Sequence, residues 1–274
     1  SKCCLVLCLI IVCLGIIALS DNIELVNWLY EFGNRHNAFT IDTRQYGAIT
    51  FPNLYFHSAP MLIVASVYYA NKFVHYRSVE NLAKIIIVTV AFFLTGTRAN
   101  MIMAIAAPAI IFYMHSSTKI KIILIVSLLI FIFLIRNLIF EFFSPSDVSN
   151  SLKISYLQDY LTAYENNFIY FLIGGGIGNP LYSSQLDMYL NITELSYLNI
   201  IYWFGVPCGL FYIGILAYLL LIKLEKKAQY IKIILLLFLF MNIINPFIFS
   251  SNGMTIFSLV YYESFRNSKK RNLT

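Results

Sequence analysis

Charged residues are scarce in this chain. Only 12% of its 274 residues are Asp, Glu, Lys or Arg, whereas 59% are hydrophobic. Soluble globular domains carry about a quarter charged residues, and the mean hydropathy here is +0.75. This composition excludes a water-soluble enzyme, a nucleic-acid-binding protein and a disordered chain. It is typical of a polytopic membrane protein.

The chain also lacks the short motifs of several enzyme classes. It contains no H-E-x-x-H, no phosphate-binding G-x-x-x-x-G-K, no G-x-S-x-G and no D-x-D pair. The glycine-rich run at residues 174–178 does not match the dinucleotide-binding pattern. The five cysteines have no neighbouring His or Asp, so we expect them to pack as small hydrophobic residues. We therefore expect neither a cofactor nor a metal ion.

The apolar residues that are present cluster in eight segments, which predict membrane-spanning helices. Because a helix needs about 20 residues to cross a hydrocarbon core, the short third, fourth and last segments must extend through their flanks or lie beside polar cavities. The segments are residues 3–19, 54–70, 83–96, 100–115, 120–138, 196–222, 231–249 and 254–265. The sequence predicts an all-α, polytopic integral membrane protein with about eight transmembrane helices, in a single membrane domain over residues 1–274.

The positions of the basic residues predict the orientation. If the eight segments alternate, fourteen of the 19 basic residues lie on one side, which should be cytoplasmic. The other side holds ten of the 13 acidic residues and two long connections, residues 20–53 and 139–194. Connections longer than about 15 residues usually have a function. The working surface is therefore expected on the extracytoplasmic side.

Arg98 lies between the third and fourth segments, at the outer boundary of the membrane. Thr95, Gly96 and Thr97 break the helix there and permit a tight turn. On a purely structural interpretation, Arg98 lies at the tip of a hairpin and extends its charged group to the membrane interface. A lone outward cation runs against the charge asymmetry, which favours a functional role.

Arg44 precedes the second segment. Gly47 and Pro52 indicate a defined turn before that segment, and Asn53 is placed to cap the helix that follows. A solvated loop arginine and an anion site fit Arg44 equally well. The signal at Arg35 is weaker.

Two further residues have a structural expectation. Arg136 is expected to be an interfacial anchor. His57, placed one turn into the second segment, is expected to be a satisfied structural histidine.

Glu194 stands at the start of the sixth segment. It fits a first-turn residue that complements the helix dipole after a Thr193 cap. It fits equally well a desolvated carboxylate that acts as a general base. Asp159 and Glu165, in the same outer connection, are the other carboxylates that could take this role, and the tyrosines around them could stack on sugar rings.

Four motifs in order resemble the O-antigen polymerase and ligase superfamily. They are Arg44-x-x-Gly47 with Pro52-Asn53, the sequence LTGTRA that carries Arg98, the sequence LIGGGIG at residues 172–178, and ELSYLNIIYWFGVPCG, which begins at Glu194. Their order, sidedness and spacing agree with the family over residues 20–250.

The resemblance implies a metal-independent, inverting glycosyltransferase of the bacterial plasma (inner) membrane with its active site on the extracytoplasmic face. Its substrate would be a polyprenyl-diphosphate-linked oligosaccharide, and its partners would include the lipid bilayer and a chain-length regulator protein, with no nucleic acid. Arg98, Arg44, Lys153 and Arg35 would bind diphosphate or glycan, and Glu194 and Arg98 would be catalytic. Guanidinium groups suit a leaving diphosphate because their planar fork binds two oxygens.

The sequence departs from the family in three ways. Family members usually have more spans, so we expect further spans before Ser1. Many relatives carry arginine where this chain has Lys153. The ligases carry a histidine near the start of the span that begins here at Glu194. The expected function is therefore O-antigen or surface polysaccharide polymerase, with the ligase that acts on lipid A-core as the alternative and a flippase or transporter as the alternative of another class.

Overall fold

The computed structural model describes residues 2–20, 22–36, 39–46, 49–134, 136, 140, 144, 147–222, 224–225 and 228–271. Helices account for 75% of the chain as described, and the mostly helical fold expected from the sequence is confirmed. The structure also contains two short antiparallel β-hairpins, which the all-α expectation did not include. The chain divides into two compact units, Ser1–Phe142 and Phe143–Thr274, while the single membrane domain stays a prediction.

The first unit is a helical bundle with one β-hairpin. Phe39 lies opposite Phe56 in the hairpin, and Arg44 lies opposite Phe51. Its described elements are α1 (Lys2–Ala18), α2 (Ile23–His36), β1 (Phe39–Tyr46), β2 (Ile49–Phe56), a 3₁₀ turn (Ala59–Met61), α3 (Leu62–His75), α4 (Val79–Leu94), α5 (Arg98–His115) and α6 (Thr118–Leu134).

The second unit combines helices with a small hairpin in which Tyr182 lies opposite Tyr189. A buried cluster of Tyr160, Leu181, Tyr202 and Trp203 forms an aromatic core in this unit. Its described elements are α7 (Val148–Asn166), α8 (Phe168–Ile173), β3 (Leu181–Ser183), β4 (Met188–Leu190), α9 (Ser196–Leu221), α10 (Gln229–Met241) and α11 (Ser251–Arg271).

All eight apolar segments contain a helix, but two predicted boundaries are wrong. The second helix starts at Leu62 instead of residue 54, since residues 49–56 form β2 and Pro60 lies in the 3₁₀ turn ahead of the helix. The seventh helix ends at Met241 instead of residue 249, ahead of Pro246. His57 lies exposed in the turn after β2, so its placement one turn into a span is wrong.

The two long connections are folded. The first contains α2 and most of the β1–β2 hairpin, and the second contains α7, α8 and the β3–β4 hairpin. Asn53, expected to cap a helix, lies instead in β2 and is buried. Asp147 caps α7 by accepting the backbone N–H groups of Ser149 and Asn150. The described residues of both connections are therefore largely in regular secondary structure.

Helix α6 exposes apolar side chains on all sides. None of its described side chains is buried, and Ile123, Leu129 and Leu134 are each exposed by 60% or more. A helix that is apolar all round is normally covered, either by a protein core or by lipid. Helix α9 is the one described helix that is long and apolar enough to cross a membrane by length and composition, which by itself is weak evidence.

Candidate active site

Glu194 forms an ion pair with Lys153 in the second unit. The Lys153 Nζ lies 3.0 Å from the Glu194 Oε2, and the Glu194 side chain is 44% exposed, so the expectation of a desolvated carboxylate is wrong. The same Nζ donates a hydrogen bond of 3.0 Å to the Ser149 hydroxyl. Two residues that the sequence singled out separately, 41 positions apart, therefore meet at one accessible point.

Helix α9 begins after Glu194, so the interpretation of Glu194 as a first-turn residue is wrong. The helix starts at Ser196, and no acidic residue lies in its first turn. Thr193 does accept the Leu195 N–H at 3.3 Å, although Leu195 holds the N-cap position. The Glu194 carboxylate is thus presented from a bend ahead of the helix.

A buried network fixes the backbone on both sides of Glu194. The Asn199 side chain donates to the carbonyl oxygens of Thr193 (2.9 Å) and Leu195 (3.1 Å), and it accepts the Thr193 N–H at 3.0 Å. The Tyr160 hydroxyl of α7 donates to the same Asn199 Oδ1 at 2.8 Å. Because the residues on both sides are held by buried polar groups, the backbone of Glu194 has a fixed position.

Two buried tyrosines of α7 support the pair. Burial raises the pKa of the Tyr160 hydroxyl, which therefore stays neutral in the network. Burial also raises the pKa of Tyr156, and the charge of Glu194 raises it further. Tyr156 and Tyr160 are 4% and 2% exposed, so neither can offer an open face to a sugar. Sequence reasoning did not find the structural role of Tyr160 and Asn199, since their partners are distant along the chain.

Among the tyrosines of the second long connection, the exposed ones lie on the β3–β4 hairpin. The rings of Tyr182 and Tyr189 contact each other at 5.2 Å on its outer side, and both residues are exposed. Asp159 is 8% exposed and holds this hairpin to α7 by accepting the Ser184 N–H at 3.2 Å. Asp159 is thus a structural carboxylate, while Glu165 is exposed at the end of α7.

The glycine-rich sequence LIGGGIG packs against the kink of α9. Gly205 has a φ of +74°, which interrupts the helix. The N–H groups of Gly175 and Gly176 donate to the carbonyl oxygens of Tyr202 and Trp203, at 2.8 and 3.1 Å, which the kink releases from helical bonding. The third and fourth motifs of the predicted set are therefore in direct backbone contact.

Arg98 is the first residue of α5 and follows the turn of residues 95–97. Thr97 caps the helix by accepting the Asn100 N–H, and the buried Asn100 side chain donates to the Thr95 hydroxyl at 2.8 Å. Arg98 is half-buried, and its Nε atom is buried. The tight turn predicted from the sequence is confirmed.

The turn ahead of Arg98 packs on β2. Gly96 has a φ of +63°, and a Cβ atom there would lie 2.6 Å from the Cα of Asn53. This contact joins Pro52-Asn53 to LTGTRA, the first and second motifs of the predicted set. This contact thus holds the turn that immediately precedes Arg98.

The other predicted basic residues are placed separately. The backbone of Arg44 lies in β1, whereas its side chain and the residue Gly47 lie outside the described residues. Arg35 is exposed in the last turn of α2. Arg136 is exposed with its guanidinium 4.9 Å from the ring centre of Phe133, a contact that suits an anchor.

Within the described part of the chain, no group of three or more His, Cys, Asp or Glu side chains is arranged to hold a metal ion. Comparisons of the chain with models of protein families, with curated proteins and with solved structures find no match.

Proposed function

We propose that this chain is a multi-span membrane glycosyltransferase that polymerises O-antigen or a related surface polysaccharide. It would transfer a polyprenyl-diphosphate-linked glycan onto the sugar hydroxyl of a lipid-linked repeat unit on the extracytoplasmic face of the bacterial plasma membrane. The observation that carries the proposal is the accessible ion pair of Glu194 and Lys153, held by a buried network in the predicted outer connection.

The membrane environment is supported by helix α6. Its exposed apolar surface needs a covering, and lipid provides one for a helix that is apolar all round. The helices of 13–18 residues rise roughly 20–27 Å, about 3–10 Å less than a typical hydrocarbon core of about 30 Å. Local bilayer thinning and polar flanks accommodate such a difference at modest cost. The eight spans are proposed on this basis.

In the proposed reaction, Glu194 accepts the proton of the acceptor hydroxyl as its oxygen attacks the anomeric carbon of the donor. The bond between that carbon and the diphosphate oxygen breaks, and the polyprenyl diphosphate leaves with the electron pair. Lys153 holds the Glu194 carboxylate in place and supplies positive charge beside it. Attack opposite to the leaving group inverts the anomeric configuration.

Arg98, a residue of the first unit, is proposed to bind diphosphate. A guanidinium donates two parallel hydrogen bonds to phosphate oxygens, and donors fixed before the reaction stabilise charge that develops in the transition state. The capped and packed turn of residues 95–97 fixes the start of α5, where Arg98 lies. Arg44 and Arg35 are proposed as further glycan or diphosphate contacts.

Replacement of Glu194 by Gln tests the proposal. Glu194→Gln keeps the shape of the side chain but cannot accept the proton, and loss of a general base typically lowers the rate ~10²–10⁴-fold. The surface polysaccharide ladder of cells expressing the variant should collapse to short chains. Glu165→Gln is the matched control, because Glu165 is an exposed carboxylate at the end of α7, within the same connection.

Protein amount in the membrane must be equal for both variants. A full ladder from Glu194→Gln, or a collapsed ladder from Glu165→Gln, would remove Glu194 from the reaction.

A further inference from the structure

Two histidines meet at one end of the first unit. His75 and His115 occupy the last turns of α3 and α5, and their ring centres are 5.2 Å apart. Phe73 and Phe112, one turn or less before them, are also in edge contact at 6.0 Å. Helices α3 and α5 thus pack closely at this end, which holds the two imidazoles together.

The hydrogen bonds of the two rings define their tautomers. Each Nδ1 lies close to the backbone carbonyl oxygen four residues earlier, that of Asn71 at 2.8 Å and that of Ile111 at 3.0 Å. A carbonyl oxygen can only accept, so each Nδ1 carries the proton. In the neutral ring, Nε2 then carries the lone pair, and a backbone bond to the other nitrogen is the usual support of a metal-binding histidine.

The spacing of the rings fits a shared metal ion. Two imidazoles that bind one Zn²⁺ tetrahedrally, at Zn–N distances of about 2.0–2.1 Å, have ring centres about 5 Å apart. The observed separation of 5.2 Å satisfies this requirement. Both residues are exposed, so an ion from solution can reach them.

The helix dipoles also favour a cation at this point. Both histidines lie at C-terminal ends, where the partial negative charge of the helix favours positive charge. Lys72, in the same last turn as His75, opposes a cation, as do Lys119 and Lys121, which follow His115. Lys119 is exposed, whereas Lys72 and Lys121 are half-buried. Charges at the protein surface are screened by salt, whereas bonds from imidazole nitrogen to metal act directly.

We infer that His75 and His115 form a binding site for a divalent transition-metal ion of the zinc type, which joins the ends of α3 and α5. The protein supplies two nitrogen ligands, and solvent completes the coordination. The bound ion would connect the C-terminal ends of two helices that are separated along the chain by α4. The site is independent of the proposed glycosyl transfer.

The test uses the whole chain purified in detergent and Zn²⁺ as the probe. Competition with a chromophoric chelator should reveal one site per chain, and ZnCl₂ should raise the thermal unfolding temperature. His75→Ala and His115→Ala should each abolish both effects, and the double variant should show no further loss. His36→Ala and His57→Ala, at the other two of the four histidines, should bind as the unmodified chain does.

Three results would overturn the inference. They are the absence of Zn²⁺ binding by the unmodified chain, retained binding in either single variant, and binding that falls in the His36 or His57 variant. The chelator competition is measured at a temperature where each variant is folded, so a loss of stability is not mistaken for a loss of ligand.

Discussion

At the scale of single residues, the ion pair of Glu194 and Lys153 contributes little to stability. Pairs with one largely exposed partner are worth about 0–1 kcal/mol, because solvent screens them and two long side chains lose freedom. The Glu194 side chain is 44% exposed. The buried hydrogen-bond network around Glu194 uses more polar groups than the ion pair does. Such a network is typical of a site that must hold one carboxylate in position.

The arginines at positions 98 and 136 should respond differently to substitution by Lys. If Arg98 binds diphosphate through its planar fork, Arg98→Lys keeps the charge but loses the second hydrogen bond. Loss of one such contact to developing charge costs roughly 2.7–4 kcal/mol, or about a hundredfold to a thousandfold in rate. Arg136→Lys should be tolerated, since an exposed anchor needs only a long stem and a charge.

Polysaccharide chain length at matched expression measures both substitutions. Long chains from both variants, or a defect confined to Arg136→Lys, would place the diphosphate away from Arg98.

The sequence identified the charged residues of the candidate site better than the buried residues that hold them in place. Glu194 and Arg98 could be selected because charge near a predicted membrane boundary is costly and therefore selective, whereas Lys153 was selected only through the family resemblance. Their environment depends on contacts between distant segments. Tyr160 and Asn199 are 39 positions apart, and no local pattern indicates that their side chains share a buried hydrogen bond.

At the scale of elements, local chemistry explains where several helices begin. Ser78, Thr97 and Asp147 each accept a backbone N–H in the first turn of α4, α5 or α7, which is the typical role of these residue types. The two wrong boundaries lie at α3 and α10. Apolar composition alone does not distinguish a strand from a helix, so it extended the second segment into β2, and it extended the seventh segment into the turns that follow Met241.

Gly174 should be essential to the contact between the glycine-rich sequence and α9. Its φ is +79°, and a Cβ atom there would lie 2.2 Å from the Trp203 carbonyl oxygen. Gly174→Ala should therefore lower the free energy of unfolding by about 1–3 kcal/mol or more, from backbone strain and the displaced kink. Thermal unfolding of the purified protein in detergent measures this change.

Gly214 provides the control, because a Cβ atom there meets nothing within 4 Å. Gly214→Ala should leave stability unchanged or raise it by about 0.5–1 kcal/mol, as alanine favours a helix. Equal effects of the two substitutions would show that the close backbone contact does not matter for stability.

At the scale of the whole molecule, the distribution of basic residues predicts the topology. It places residues 20–53 and 139–194 outside and the connection before α10 inside. A periplasm-active reporter fused after Ser149 should be active, and one fused after Lys227 should be inactive. The reverse pattern would put Glu194 and Lys153 in the cytoplasm, where extracytoplasmic transfer is impossible.

The mostly helical fold was predictable because eight apolar segments dominate the chain. The folded outer connections were not, since α2, α7 and the two hairpins have mixed composition and depend on packing. Asn53 illustrates this limit. Its local pattern suits a helix cap, but the close approach of Gly96 places it in a buried strand.

The most direct test of the proposed polymerase is the polysaccharide of a strain that lacks the gene. If the chain joins repeat units, the strain should carry single repeat units on its lipid A-core and no ladder, and the unmodified gene should restore the ladder while Glu194→Gln should not. Complete absence of attached glycan would indicate a ligase. Lipid-linked units retained in the cytoplasm would indicate a flippase, and either of these two results would contradict the proposed function.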